Sequence, residues 1–393
     1  MDDKERIETD IRGWDAILDH RTGTDGDQQT AEWLADSIRS AGAEPLIEPF
    51  AFQRRILHEC SVTVGSKRAE GVPLFDGSYT CAEGCSAKLT SLESGTVDRD
   101  NAIDQEGHIG VTSFSSTGAH PPTRQMHVAR SENYSAIVAY AAAEYVEPGL
   151  ALLNAPHYQS PYGPPVLQVS TEYGDWLEAA AANHEAAYVV AHVSAEETTA
   201  SNVQATISGR DPSLAPLVVM TPRSAWWTCT AERGGGIALW LECIRHFSNE
   251  QGDRDVIFTA NTGHELGHVG LHYYLEQRPD LLGDARAWIH LGANFATVDS
   301  RLRFQASPAL MKFGLEALAT EEIFPKSITP TDNRPLGEAE NIYDGGGRYL
   351  SFIGSNRWFH HPDDRWPYTV DLERAVKLNR AVIHMATGLA QAV

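Results

Sequence analysis

The stretch Val256-Ile257-Phe258-Thr259-Ala260-Asn261-Thr262-Gly263-His264-Glu265-Leu266-Gly267-His268 passes from a short apolar run into a cluster of two histidines and a glutamate bracketed by glycines. The run Val256 to Ala260 is rich in β-branched residues and too short for a helix, so the polar cluster falls where a strand ends. The spacing predicts a helix over Leu266 to Glu276 immediately after it. Outward from there the alternation repeats. Leu217 to Met220, Ala287 to Leu291 and Tyr349 to Ile353 have strand patterns, and Gly235 to Phe247, Pro308 to Ala319 and Val370 to Ala392 have helical ones. Strands alternating with helices predict an α/β fold with a mostly parallel central sheet and helices on both faces. Ligands of such sheets bind beyond the carboxyl ends of the strands. That directs attention to Thr221 to Arg233, Gly263 to His268, Gly292 to Asn294 and Asn356 to Asp364.

The rest of the chain divides around this core. Glu5 to His20 and Asp25 to Ala41 read as helices, with Asp25 and Asp27 as cap candidates. Between about Arg55 and Ala205 short apolar runs, among them Leu150 to Leu153, are separated by Gly, Pro and Ser, which predicts an inserted β-rich domain. The expected division is therefore 1–54, 55–205 and 206–393. With 31 Lys and Arg against 53 Asp and Glu, the formal net charge is −22. Such a balance argues against nucleic acid or an anionic membrane as partner. No apolar run approaches the roughly 18 residues of a membrane span, and Met1 to Asp10 carries no secretory pattern. An odd five cysteines give no disulfide framework, and Cys81 and Cys85 read as loop thiols. A cytoplasmic location is the expectation, with self-association left open.

His264-Glu265-Leu266-Gly267-His268 fits the His-Glu-x-x-His pattern in which a helix carries two zinc-binding histidines and a glutamate that activates water. The strand leading directly into it, and Gly263, Gly267 and Gly270, weigh against a rigid helix there. In the strand-end frame the chain resembles the zinc-dependent exopeptidase family of bacterial aminopeptidases, glutamate carboxypeptidase and the glutaminyl cyclases over nearly its whole length. The resemblance implies a zinc aminopeptidase-like fold, and it implies that 55–205 is a protease-associated-like domain. Asn202-Val203-Gln204-Ala205-Thr206-Ile207-Ser208-Gly209 resembles the return strand after it.

That family takes its metal ligands from five places, and here they are only partly kept. Thr221-Pro222-Arg223 stands at the family's His-x-Asp, Glu232 at the bridging Asp, and His264-Glu265 at Glu-Glu. Gly292 stands at the strand-ending Asp and His360 at the late His. The resemblance thus implies one divalent metal, zinc, held by Glu232, Glu265 and His360, with both private ligands of a second zinc gone. His264 falls at the general base, and Arg223 is a candidate to fill the vacated charge. The expected function is a metal-dependent hydrolase of a small amide or other C–N bond in a small-molecule or peptide-like substrate. The alternatives are a metal-free binding or scaffold protein of the same fold, a conventional aminopeptidase, and a transferase or lyase using the pocket. Trp226, Trp227 and Trp358 are candidates for an aromatic wall, and Glu338 and Asn356 for further substrate contacts. Asp363 and Asp364 are candidates to orient His360, His290 is the fallback ligand, and His268, His272 and His361 are expected in supporting or surface positions.

Overall fold

The computed structural model describes residues 1–92, 107–116, 120–329 and 333–392. The chain opens with α1 (Asp3–Asp15), which Asp2 and Glu5 cap reciprocally, and α2 (Asp25–Ser40), where Thr24 Oγ1 accepts the Asp27 amide. Thr24, one residue earlier than expected, takes the cap, which leaves the Asp27 carboxylate free to turn inward. Two long strands, β1 (Pro45–Val64) and β7 (Ala186–Ile207), flank the insertion. Between them lie β2 (Lys67–Pro73), β3 (Cys85–Ser91), β4 (His108–Phe114), α3 (Pro121–Ala129), β5 (Tyr134–Ala141), β6 (Val166–Val169) and α4 (Gly174–Ala182). The body follows as β8 (Leu217–Pro222), α5 (Gly235–Asn249), β9 (Val256–Asn261), α6 (Val269–Glu276), α7 (Leu281–Asp284), β10 (Ala287–Ala293), β11 (Arg303–Ala306), α8 (Pro308–Thr320), β12 (Ser327–Ile328), α9 (Ala339–Asp344), β13 (Tyr349–Ile353) and α10 (Leu372–Ala390).

The strands expected on either side of the histidine cluster form the centre of the sheet. Its order through the body is β7-β9-β8-β10-β13-β11-β12, with β9, β8, β10 and β13 parallel, β7 antiparallel to β9, and β11 antiparallel to β13 but parallel to β12. The parallel strands are buried almost throughout, which is why they read as continuous apolar runs. Helix α5 is buried along nearly its whole length and packs against α1, α10 and the sheet. No helix among the described residues is long and apolar enough to cross a membrane.

The inserted lobe is less purely β than its sequence pattern suggests. Its strands β3, β4, β5 and β6 pair in parallel, and α3 and α4 pack beside them. Strand pairings run β1-β2-β6-β5-β4-β3-β7, and β1 pairs β7 directly, so the pairings close into a ring. The β1–β7 register extends from Pro45↔Ala205 to Val64↔Ala187, which carries the ribbon through positions 55 and 205. Ser194 to Ala200 is polar and largely exposed and carries no apolar strand pattern; its backbone pairing with β1 alone holds it extended. Leu150 to Leu153 is not a strand, although Leu152 and Leu153 are buried.

The first helix stops at Asp15, short of His20, because His20 turns inward and stacks on Trp14 with ring centroids 3.6 Å apart. Its Nδ1 meets Thr30 Oγ1 at 2.8 Å, and Thr30 Oγ1 itself donates to the Gly26 carbonyl. Burial lowers the His20 pKa to about 3, well below the ordinary 6.5. Between those values the unfolded chain binds a proton that the folded chain refuses, so stability must fall as pH drops below about 6.5. His20→Phe keeps the stack and removes the proton. Its melting temperature should fall less steeply than the parent's between pH 6.5 and 4, by the equivalent of about 1.4 kcal/mol per pH unit. An unchanged slope in a pH series of thermal melts would exclude His20 as a cause of acid lability.

Candidate functional site

Two irregular turns at the carboxyl ends of β8 and β9 build the site. After β8 the chain reaches Cys229 in a left-handed conformation, φ 44°, and then makes a π-helical turn, Thr230–Gly234, before α5. The wide turn sends two successive charged side chains, Glu232 and Arg233, into the interior, where both are buried. Asp364 holds it in place: its carboxylate accepts the amides of Ala231 and Glu232 at 2.9 and 3.0 Å. Burial pushes the Asp364 pKa up to about 7 in spite of those bonds.

After β9, Gly263 is left-handed, His264–Leu266 forms one 3-10 turn, and Gly267 and His268 are again left-handed at φ 75° and 59°. Helix α6 starts only at Val269. His264 and His268 therefore do not share a helix, and the helix-borne zinc motif fails on backbone geometry. Their rings stack instead, 4.8 Å between centroids. The inserted lobe covers this turn: the Ala155 amide donates to the Glu265 carbonyl at 2.7 Å, and a Cβ on Gly267 would lie 2.6 Å from the Pro156 carbonyl.

Glu232, Glu265 and His360 come together, and Arg233 stands among them. Arg233 Nη2 lies 2.8 Å from Glu232 Oε1 and 2.7 Å from Glu265 Oε1, while its Nε donates to the Ser224 carbonyl at 2.9 Å. Ser224 Oγ donates to the other Glu265 oxygen at 2.6 Å and accepts the His264 amide at 3.0 Å. His360 Nε2 sits 3.4 Å from Glu232 Oε1, and its Nδ1 meets the Leu152 carbonyl at 2.7 Å. The orienting partner of His360 is thus a backbone carbonyl of the inserted lobe, not Asp363 or Asp364. Burial works to raise the Glu232 pKa, but Arg233 and then His360 outweigh it and hold it at about 2. Burial likewise opposes ionisation of Glu265, and Arg233 followed by His264 draws its pKa below the usual value.

Around this centre lie further buried groups. His264 Nδ1 is 3.3 Å from Glu338 Oε1; burial, then Arg233, lowers the His264 pKa to about 3, whereas burial raises Glu338 to about 7. His268 Nδ1 meets Asn341 Oδ1 at 2.8 Å, and His290 Nδ1 meets Ser351 Oγ at 2.9 Å. Asn356 donates to Asn294 Oδ1 and Asp364 Oδ2 at 3.0 and 3.2 Å, so it braces the turn that carries Glu232. Trp227 Nε1 donates to the His360 carbonyl at 3.0 Å, and Trp226 Nε1 to Asn154 at 3.2 Å. Trp358 is half-buried, its amide donating to Asn356 at 2.8 Å.

The structure places Arg223 elsewhere. Its fully buried guanidinium pairs with Asp27 Oδ1 at 3.0 Å and donates to the Ser201 and Asp27 carbonyls. The guanidinium that reaches the candidate ligands is that of Arg233, which sequence reasoning missed. A signal was present: Arg233 immediately precedes Gly234-Gly235-Gly236-Ile237-Ala238-Leu239-Trp240-Leu241, a run without a charged or hydrogen-bonding aliphatic side chain, and a cation there needs a buried counter-charge. The two positions without ligands are built for their small side chains. Thr221 Oγ1 donates to the Leu291 carbonyl at 2.9 Å, and a Cβ on Gly292 would meet His290 Cε1 and the Phe352 carbonyl, each at 2.8 Å.

These residues fit a divalent metal poorly. Arg233 already lies within hydrogen-bond distance of one oxygen from each carboxylate, and Ser224 takes the other oxygen of Glu265. Cys229, Glu232 and Asp364 also bring ligand atoms within 4.8 Å of one another. There burial holds the Cys229 thiol well above its ordinary pKa, and the Asp364 oxygens are committed to backbone amides.

Solved structures share this architecture. The zinc aminopeptidase of Bacillus subtilis matches with a TM-score of 0.79 at 17% identity, over 99% of this chain and 95% of that one. The fold is that of the zinc aminopeptidases. An aminopeptidase from Aneurinibacillus sp. strain AM-1 matches with a TM-score of 0.73 at 16% identity, covering 98% of this chain and 93% of the other. A peptidase M28 precursor from Shewanella amazonensis SB2B matches with a TM-score of 0.74 at 14% identity, covering 99% and 97%. No protein-family description and no curated protein sequence matches the chain. The aminopeptidase fold is therefore present here at a level of identity that fixes architecture alone.

Proposed function

We propose that the chain is a metal-independent binding protein on the aminopeptidase fold, with the Arg233 guanidinium standing where the resemblance would place a zinc. The observation that carries this reading is the pair of contacts from Arg233 Nη2 to Glu232 and Glu265, 2.8 and 2.7 Å. A fixed cation there neutralises the carboxylates and repels a second cation. At 4 Å that repulsion amounts to about 4 kcal/mol per unit charge at an effective dielectric constant near 20. Glu232, Glu265 and His360 are at most 3% exposed, so the centre is packed as a structural network.

The single-zinc hydrolase is the second reading, and one observation favours it. Glu232 Oε2 and His360 Nε2 are buried without a hydrogen-bond partner, and the Leu152 carbonyl aims that nitrogen at Glu232. A bound zinc would supply Lewis acidity, with Glu232, Glu265 and His360 as its holders. His264, its pKa drawn down to about 3, would be neutral there but a weak proton acceptor.

Elemental analysis of protein purified without chelator separates the two. The binding-protein reading expects far less than one zinc per chain. A value of about one per chain, the stoichiometry of a three-ligand catalytic site, would overturn it in favour of the hydrolase.

A further inference from the structure

A cavity of about 280 Å³ lies between the β1–β7 ribbon and the loop after β8, with Glu265 and Leu266 in its wall. Four aromatic rings line it in two stacked pairs, Phe52 with Tyr158 at 5.6 Å and Phe75 with Trp226 at 5.3 Å between centroids. Three arginines line it as well, in a chain of net charge −22. Two of them are offset: Arg21 pairs with Asp19 at 2.9 Å and Arg54 with Glu196 at 2.5 Å.

Arg55 is different. Among the described residues it has no carboxylate partner; its Nη1 donates to Gln53 at 2.8 Å, and its Nε is buried without a hydrogen-bond partner. Its guanidinium lies over the Tyr158 ring, 5.1 Å from the centroid, and 6.0 Å from that of Tyr79. Burial pushes both phenols above their ordinary pKa, Tyr79 to about 12, so neither supplies the missing negative charge. A half-buried cation held over a ring and lacking an anion is a recognition group for a carboxylate, which a guanidinium binds through parallel N–H donors.

We propose that this cavity binds a small aromatic carboxylate, its ring between the stacked aromatic pairs and its carboxylate on Arg55. Size agrees with this class. The volume is roughly twice the ~150 Å³ of an apolar cavity that takes benzene, which leaves room for one ring and a short acid arm. Aromatic walls with one convergent charge are the usual make-up of a small-ligand site. The proposal gives a ligand class to the binding-protein reading and rests on that reading, but not on the metal question.

The test is calorimetric titration of the full chain with 3-phenylpropionate and with its neutral analogue 3-phenylpropionamide. The acid should bind with one site per chain, at least tenfold tighter than the amide. Arg55→Gln should bring the acid down to the level of the amide and leave the amide unchanged, with an unaltered thermal melt showing that the fold is intact. Leu57→Trp, which fills the cavity from β1, should abolish both. Equal affinity for acid and amide, no saturable binding of either at about 10 mM, or an Arg55→Gln variant that binds the acid as the parent does would each overturn the proposal. Zinc content measured on the same sample keeps the two readings apart. One zinc per chain with Arg55-dependent binding intact removes only the metal-free reading, and no zinc with no binding removes only the cavity proposal.

Discussion

Arg233→Ala should destabilise the chain by about 3 to 5 kcal/mol, the range for removing one partner of a buried ion pair. Glu232 and Glu265 would then face each other without the guanidinium that holds both below their ordinary pKa, and Ser224 would lose a donor to its carbonyl. The same variant should gain an affinity that the parent lacks, since two carboxylates and the free Nε2 of His360 would surround a vacated cation position. Zinc at about 100 times its dissociation constant would restore roughly 2.7 kcal/mol. Thermal melts of parent and variant with and without zinc read both effects. If the parent responds to zinc as strongly as Arg233→Ala does, the guanidinium is not the substitute for a metal. Arg233→Lys should lie between them, because one ammonium cannot reach two carboxylates and a carbonyl in the same planar arrangement.

Arg223→Leu is expected to cost a similar 3 to 5 kcal/mol by a separate route. Its loss strands the Asp27 carboxylate, 2% exposed, whose pKa burial already raises against the pull of Arg223. Asp27→Asn combined with Arg223→Leu should recover a large part of the loss, and zinc should change neither variant. That pattern in denaturant unfolding would show Arg223 as a tie between α2 and β8. If Arg223→Leu left stability intact and instead altered zinc or ligand binding, Arg223 would belong to the site.

The body of the fold was legible because its parallel strands are buried on both faces, so Val256 to Ala260 and Tyr349 to Ile353 carry their assignment in composition alone. The β1–β7 ribbon was not, since Glu196 to Thr199 face solvent and contribute no apolar pattern; only pairing with a strand about 140 residues away in sequence holds them extended. At the site, residue type and order brought attention to Glu232, Glu265, His264 and His360, which do lie together. What sequence order could not convey was direction. Arg223 and Arg233 are ten residues apart on two sides of one loop, and the π-helical turn decides which of them points at the carboxylates.

The ring of pairings in the inserted lobe bears on how this molecule can move. A lobe joined to its body by two flexible crossings can swing, and entry to a covered centre is then a matter of hinge stiffness. Here both crossings are strands of one antiparallel ladder, broken only by a register shift between Leu57 and Glu59, so bending there means shearing a row of interstrand bonds. The lobe is cantilevered, not hinged. The Leu152 carbonyl and the Ala155 amide are consequently fixed fittings of the site, and Arg55 belongs to the ladder that keeps them in place.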